Sequence, residues 1–446
     1  MGKFSFFFKT SLFGLLLANF QDPAFSQDLI EIYQLALQND PVLRQAFAQQ
    51  NATGETKDQS IARFLPNIAA TAGSSRNWLH NKKAGSDFRG FQVNQEFWDH
   101  TFTLNFIQPV FHWEHWVQLD QADNQIAQAE ADYWAEHQNL MVRITAAYFN
   151  VLSARDTLEF ATAEKKAIAR QLEQAQQRFE VGLIAITDVY EAQAGFDQAR
   201  ASEIEAENDL DNQKEALREI IGESEIKLDV LGETLALVGP DPADISAWGE
   251  AAEANNFSIV SAFNQVEFTR KAIELQTSGH LPQLDIVGSY GVSDNNSTFG
   301  FRGDNQKVGL QLNVPLFEGG AVSSRVRQAR HEYEVAKEKL TATQRAVKRL
   351  VKDAYRGVVS NISRVDALKA TVKSAESALE ATEAGFEVGT RTMVDVLTEQ
   401  RNLFRAKRDY ARSRYDYLIN SIKLKQAASS LTEADLEYIN NLLQHY

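Results

Sequence analysis

The chain contains no cysteine. That excludes disulfides, thiolate metal sites, a thiol nucleophile and a lipidated cysteine at a mature N-terminus. Proline is scarce: there are 8, and none falls in residues 110–239 or in residues 316–446. Two long spans are therefore free of the residue that most reliably breaks a helix. Positive charge is outweighed, with 45 Lys and Arg against 60 Asp and Glu and a formal charge of −15, which argues against a nucleic-acid or anionic-membrane partner. Charge is too plentiful for a bundle of transmembrane helices. No glycine-rich phosphate loop and no Ser, His, Asp nucleophile pattern is present, so neither an enzyme nor a bound cofactor is expected.

What is present begins with an export signal, residues 1–26. Lys3 and Lys9 supply positive charge, residues 13–20 (FGLLLANF) an apolar core too short to span a bilayer, and Ala24-Phe25-Ser26 a small-x-small cleavage site. The alternative is an N-terminal anchor helix.

An internal duplication organises the rest. Residues 178–193 (RFEVGLIAITDVYEAQ) match residues 385–400 (GFEVGTRTMVDVLTEQ), placing Phe179 against Phe386, Gly182 against Gly389 and Asp188 against Asp395. Residues 28–65 align without gaps on residues 244–281, ending in Leu65-Pro66 and Leu281-Pro282. Each copy of the VG turn interrupts a helical pattern. Glycine permits the left-handed stop, and the Thr and Asp that follow suit a new helix start. Both are read as tight helix–turn–helix tips.

Segments between the Leu-Pro pairs and Pro109 or Pro315 alternate with period two, the mark of a sheet with unlike faces. Leu284, Ile286, Tyr290 and Val292 oppose Asp285, Ser289 and Gly291; Val308, Leu310, Leu312 and Val314 oppose Lys307, Gln311 and Asn313. Phe102, Leu104 and Phe106 oppose Thr101, Thr103 and Asn105, while residues 68–80 form the weakest of the four strands. Residues 81–90 and 294–305 read as polar loops. Apolar-out, polar-in strands of about ten residues fit a transmembrane barrel; a soluble sandwich is the alternative. Four strands cannot close a barrel, for which about eight is the practical minimum, so several chains must pool them.

The proline-free span after Pro315 carries a coiled-coil seam in alternating steps of four and three: Val322, Val326, Ala329, Tyr333 and Ala336, then onward through Val347, Leu350, Ala354 and Val358 to Thr382 and Phe386. About seventy residues at ~1.5 Å each give a helix near 100 Å, far beyond a bilayer core, with charged outer faces that stand in water. The resulting division is 27–65 and 223–281 as equatorial segments, 66–111 and 282–317 as strand pairs, 112–222 and 318–428 as long helices with their tips, and 429–446 as a last equatorial helix.

The stretches QRFEVGLIAITDVYEAQ, GHLPQLDIVGSYGVSD, QKVGLQLNVPLFEGG, AGFEVGTRTMVDVL and RYDYLINSIKLKQA resemble the TolC family of outer-membrane exit ducts across essentially the whole mature chain. Without a lipidation cysteine, the likeness is to its unlipidated branch. The resemblance implies a mainly α chain with a membrane β-barrel: a homotrimer pooling four strands per protomer into one twelve-stranded barrel, set in outer-membrane lipid, above an α-helical periplasmic tunnel. It implies a role in multidrug efflux, type I protein secretion or both, with a periplasmic adaptor and an inner-membrane transporter of RND, ABC or MFS type. It also implies a gate: Arg391 bonded to Thr187 and Asp188, with Gln171 and Phe386 on the same surface, and Asp395 in a constriction ring. Gly182, Leu183, Gly389 and Thr390 would form the turns that dock the adaptor. Two departures stand out. Thr398 replaces a second ring aspartate and Phe386 a gate tyrosine, so the ring carries less charge and one gating hydrogen bond is missing. The rival reading is a periplasmic or secreted coiled-coil scaffold without pore activity. His112, Glu114 and His115 (FHWEHW) lie among Phe111, Trp113 and Trp116, which suits an interfacial aromatic belt better than a metal site.

Overall fold

The structure is a computed structural model that describes residues 27–79, 95–297 and 300–444. The export signal at 1–26 and the loop at 81–90 lie outside the described residues. Helices α1 (Leu29–Asn39) and α2 (Pro41–Ala62) lead into strands β1 (Asn67–Leu79) and β2 (Gln95–Phe111), then into the long helix α3 (Trp113–Glu180) and its return α4 (Ile186–Ile221). After the short β3 (Val230–Leu231) the plan repeats. Helices α5 (Ile245–Asn255) and α6 (Phe257–Thr277) precede β4 (Gln283–Asn295) and β5 (Arg302–Asn313), followed by α7 (Ala321–Glu387) and α8 (Met393–Ala427). Helix α9 (Glu433–Asn440) and β6 (Leu443–Gln444) close the chain.

Strands β1, β2, β4 and β5 form one antiparallel sheet in that order, so the two repeats meet at the β2–β4 seam and β1 and β5 are its edges. The register sorts the faces. Ile68, Phe106, Gly288 and Val308 form one rank across the sheet, and Ala70, Leu104, Tyr290 and Gln306 the next on the same side. The opposite side carries Ala69, Asn105, Ser289 and Lys307, then Thr71, Thr103, Gly291 and Asn305. One face is thus apolar and unpartnered within the chain: Val308 is 85% and Leu310 73% exposed. Strand β1, the weakest in the sequence pattern, pairs along its whole length. Pro109 lies inside β2 at a register irregularity, where a residue with no N–H is tolerated. The loop read over 294–305 is shorter than its polar composition suggests. Asp294 pairs with Arg302, and their side chains form an ion pair at 2.7 Å, so the ladder runs on into the polar residues.

Helices α3 and α7 have 68 and 67 residues, about 100 Å each at ~1.5 Å per residue. Among the described residues no helix is long and apolar enough to cross a membrane. On α7 the seam runs through Val322, Ala329, Ala336, Val347, Val358, Asn361, Val365 and Thr382, all buried. Leu350 departs from it: it is 55% exposed, and Val351 is fully buried in its place. A straight helix of 3.6 residues per turn drifts against a strict 3.5 repeat, and the step order four, four, three from Thr343 through Val347 and Val351 to Ala354 absorbs the drift.

The main core lies around the middle of the long helices. Leu29, Ile32, Tyr33, Leu140, Tyr148, Phe149 and Leu217 are sealed from water. Asp40 caps α2 by accepting from Leu43 N–H at 2.7 Å and also binds Arg143 with both oxygens, at 3.1 and 2.8 Å. This fork–fork geometry fixes α2 on α3. Asn440 in α9 accepts from Leu29 N–H at 2.9 Å and donates to Asp28 at 2.8 Å, bringing the chain end onto α1. The β3–β6 pair, which the periodicity does not reveal, ties residue 444 to the linker between repeats.

Candidate gate and tip site

The site is built where the two repeats end side by side. In the first tip, α3 stops after Glu180 and Gly182 takes φ +76°, with Gly182 N–H donating to Phe179 O at 2.9 Å and Leu183 N–H to Arg178 O at 2.8 Å. In the second, Gly389 takes φ +77°, and Thr390 satisfies Gly385 O through its N–H at 2.9 Å and its hydroxyl at 3.0 Å. Each left-handed glycine satisfies carbonyls that the helix end leaves open.

The restarts differ. Thr392 caps α8 in a reciprocal box: its hydroxyl accepts from Asp395 N–H at 3.2 Å, while the Asp395 carboxylate accepts from Thr392 N–H and Oγ1–H, both at 2.9 Å. Those two donors, the backbone one first, with Arg391 nearby, hold the Asp395 carboxyl below the usual carboxylate range. Ala185 holds the corresponding position in the first tip, so only half a box forms there, with Asp188 accepting from Ala185 N–H at 3.3 Å.

Beneath the tips, Ile168, Ala175, Ala192, Ala199, Met393 and Leu397 form a second small core, with Phe386 packed against it. The Arg178 guanidinium lies over the Phe386 ring, 5.2 Å from its centroid. Gln171 donates to Glu383 at 3.4 Å, joining α3 to α7. Arg178 and Glu383 were not singled out from the sequence. Their signal is positional: each lies within four residues of a repeat-matched phenylalanine.

The residues named from the sequence are not all brought together. Among the described residues, no hydrogen bond or ion pair joins Arg391 to Asp188 or Thr187 within the chain. Arg391 is exposed, and its side chain passes over Gly385, where a Cβ would come within 2.7 Å of Arg391 Cγ. Thr187 is exposed and Asp188 half-buried. Thr398 turns its hydroxyl back to Val394 O at 2.7 Å, one turn along from Asp395. The turns are open to water and apolar: Val181 is 70%, Leu183 73% and Val388 75% exposed.

At the other end of α3, His112 stands between two carboxylates. Its Nδ1 is 3.0 Å from Glu114 and its Nε2 2.9 Å from Asp285 of β4, and its ring stacks on that of His115.

A sheet with one apolar face, mounted on helices about 100 Å long that turn back at glycine tips, is the chain architecture of a channel-tunnel. The profile of the outer membrane efflux protein family matches residues 32–223 and 248–430. The chain is 40% identical to the outer membrane protein TolC of Vibrio cholerae over 429 residues, 95% of each chain. It is 35% identical to that of Escherichia coli, covering 97% of this chain and 88% of the other. It is 31% identical to the alkaline protease secretion protein AprF of Pseudomonas aeruginosa, covering 96% and 90%. In fold it superposes on the Campylobacter jejuni CmeC outer membrane channel with a TM-score of 0.77, at 16% identity, covering 93% of this chain and 90% of that one. The chain belongs to the outer membrane efflux protein family.

Proposed function

We propose that the protein is the outer-membrane exit duct of a tripartite export system, serving efflux, type I secretion or both. Relatives named as TolC and as a protease secretion protein, similar along nearly the whole chain, support both roles. The observation that carries the reading is the unclosed four-stranded sheet with its exposed apolar face. Open edges are not tolerated in lipid. Three copies that join β1 of one to β5 of the next close a single barrel and bring six tips around one axis. The protein then works as a passive pore, driven by an inner-membrane transporter through a periplasmic adaptor that docks on the exposed apolar turns around Leu183 and Gly389.

In this reading Arg391 is the gate latch. Since it does not meet Thr187 or Asp188 in its own chain, the bond is made to those residues of the neighbouring protomer. Gln171 with Glu383, and Arg178 with Phe386, hold the two tips of one protomer together beneath it. Asp395, with Thr398 one turn on, lines the narrow point, and its carboxylate ring favours cations.

The test is the mass and pore activity of protein extracted from outer membranes into detergent. A trimer with small conductance that rises in Arg391→Ser supports duct and latch together. A buffer-soluble particle without pore activity refutes the duct and leaves the coiled-coil scaffold.

A further inference from the structure

We propose that His112, Glu114 and His115 form a binding site for a zinc-class divalent cation where the sheet meets tunnel helix α3. Three observations carry it. First, one ligand atom from each of the three residues lies within 4.8 Å of the others. His112 Nδ1 and Glu114 Oε1 are already 3.0 Å apart, close to the spacing of two donors each about 2.0 Å from a tetrahedral zinc. Second, His115 Nδ1 is buried and has no hydrogen-bond partner. A buried polar atom left unpaired is costly, and a cation lying in the plane of the His115 ring along the Nδ1 lone pair would satisfy it. Third, both nitrogens of His112 face carboxylate oxygens. A neutral imidazole can donate to one of them and no more. When Nε2–H donates to Asp285, the Nδ1 lone pair and Glu114 Oε1 are left 3.0 Å apart as two donor atoms converging on one point.

The surroundings have the form of an outer shell. Asp285 accepts from His112 on Nε2, the carboxylate–histidine arrangement that fixes the tautomer of a metal-binding imidazole. Gln283 of β4 donates to Glu114 at 2.7 Å and orients that carboxylate. The residues lie at the start of α3, where the helix end is partially positive, and the two carboxylates offset that charge. Two imidazoles and one carboxylate select zinc, nickel or copper over magnesium or calcium, which prefer oxygen. Asp285 stands on the polar face of the sheet with Gln311 and, further along, Ser289, so an ion would reach the site from water rather than lipid. An ion held there ties the first turn of α3 to β4, a strand of the other repeat.

The test uses full-length protein in detergent, stripped with EDTA and titrated with Zn²⁺ alone. One zinc per chain is expected. His115→Gln should weaken binding by at least about tenfold and Asp285→Asn by roughly ten- to a hundredfold. His331→Gln, an exposed histidine of α7, should leave binding unchanged. Binding below one per chain, or unchanged in His115→Gln, overturns the site. Where a variant folds poorly, X-ray absorption of zinc-loaded wild type decides: imidazole scattering from two rings supports it, and oxygen ligands alone refute it. The readout is metal stoichiometry and ligation, so it is separable from pore activity and from the latch at Arg391.

Discussion

The Arg178 guanidinium sits over the Phe386 ring at 5.2 Å and joins the two repeats just beneath their tips. The positions are not symmetric: where the first repeat has Arg178, the second has Gly385, so the cation projects one way only. Cation–ring contacts at partly exposed sites contribute about 0.5–1 kcal/mol. A double-mutant cycle of Arg178→Ala and Phe386→Leu, read by hydrogen exchange of the tip amides, should give a coupling of about that size. Additive effects would mean that the ring only fills the small core.

Gly385 is expected to be as important for the latch as Arg391 itself. A Cβ there would lie 2.7 Å from Arg391 Cγ and 3.2 Å from Thr390 Oγ1. Cγ is too near the backbone to swing clear cheaply. Gly385→Ala should therefore displace Arg391 while leaving its charge in place, and raise single-channel conductance in the same direction as Arg391→Ser. Wild-type conductance in Gly385→Ala would show that the course of the Arg391 side chain over α7 is irrelevant to gating.

How far the sequence reached depends on the range of the interaction. Helices, tips and strand faces are set by spacing over a few residues, and the repeat made each visible twice. The seam on α7 failed at Leu350, where an apolar residue at the correct step is exposed and Val351 is buried, because helix drift is cumulative and a local pattern does not track it. Residues 302–305 looked like loop because polar residues on a lumen-type face and polar residues in a turn have the same composition. Pairings between distant segments were not legible. Nothing near His112 announces Asp285, and nothing near Gln171 announces Glu383. Such contacts follow from which strand and helix become neighbours. For Arg391 the same limit applies one level higher, since its proposed partner belongs to another chain.

Asp395 has two tasks that substitutions can separate. Its carboxylate completes the cap of α8 and supplies charge to the proposed ring. Thr392→Ala removes the hydroxyl but keeps the charge, and should cost about 1 kcal/mol of local helix stability with cation selectivity retained. Asp395→Asn keeps an oxygen that can accept from Thr392 and removes the charge, so the reversal potential under a salt gradient should shift toward lower cation preference. Selectivity lost in Thr392→Ala and kept in Asp395→Asn would invert these assignments.

Glu164 gives the long helices a pH dependence. It is 7% exposed on α3. Burial raises its pKa, and Arg408, Arg401 and Arg405 of α8 draw it back only in part. The folded carboxyl thus holds its proton more tightly than the unfolded one. Its contribution to stability is full below the ordinary glutamate range and is lost as pH rises through that range toward the raised folded value. Glu164→Gln removes the titration. Its melting temperature relative to wild type should be lowest near about pH 4 and increase toward neutral pH, as wild type comes to hold a buried carboxylate that the variant lacks. A difference that is flat with pH, or that shrinks toward neutrality, would mean that the three arginines outweigh burial and that Glu164 stays ionised as an internal counter-charge between α3 and α8.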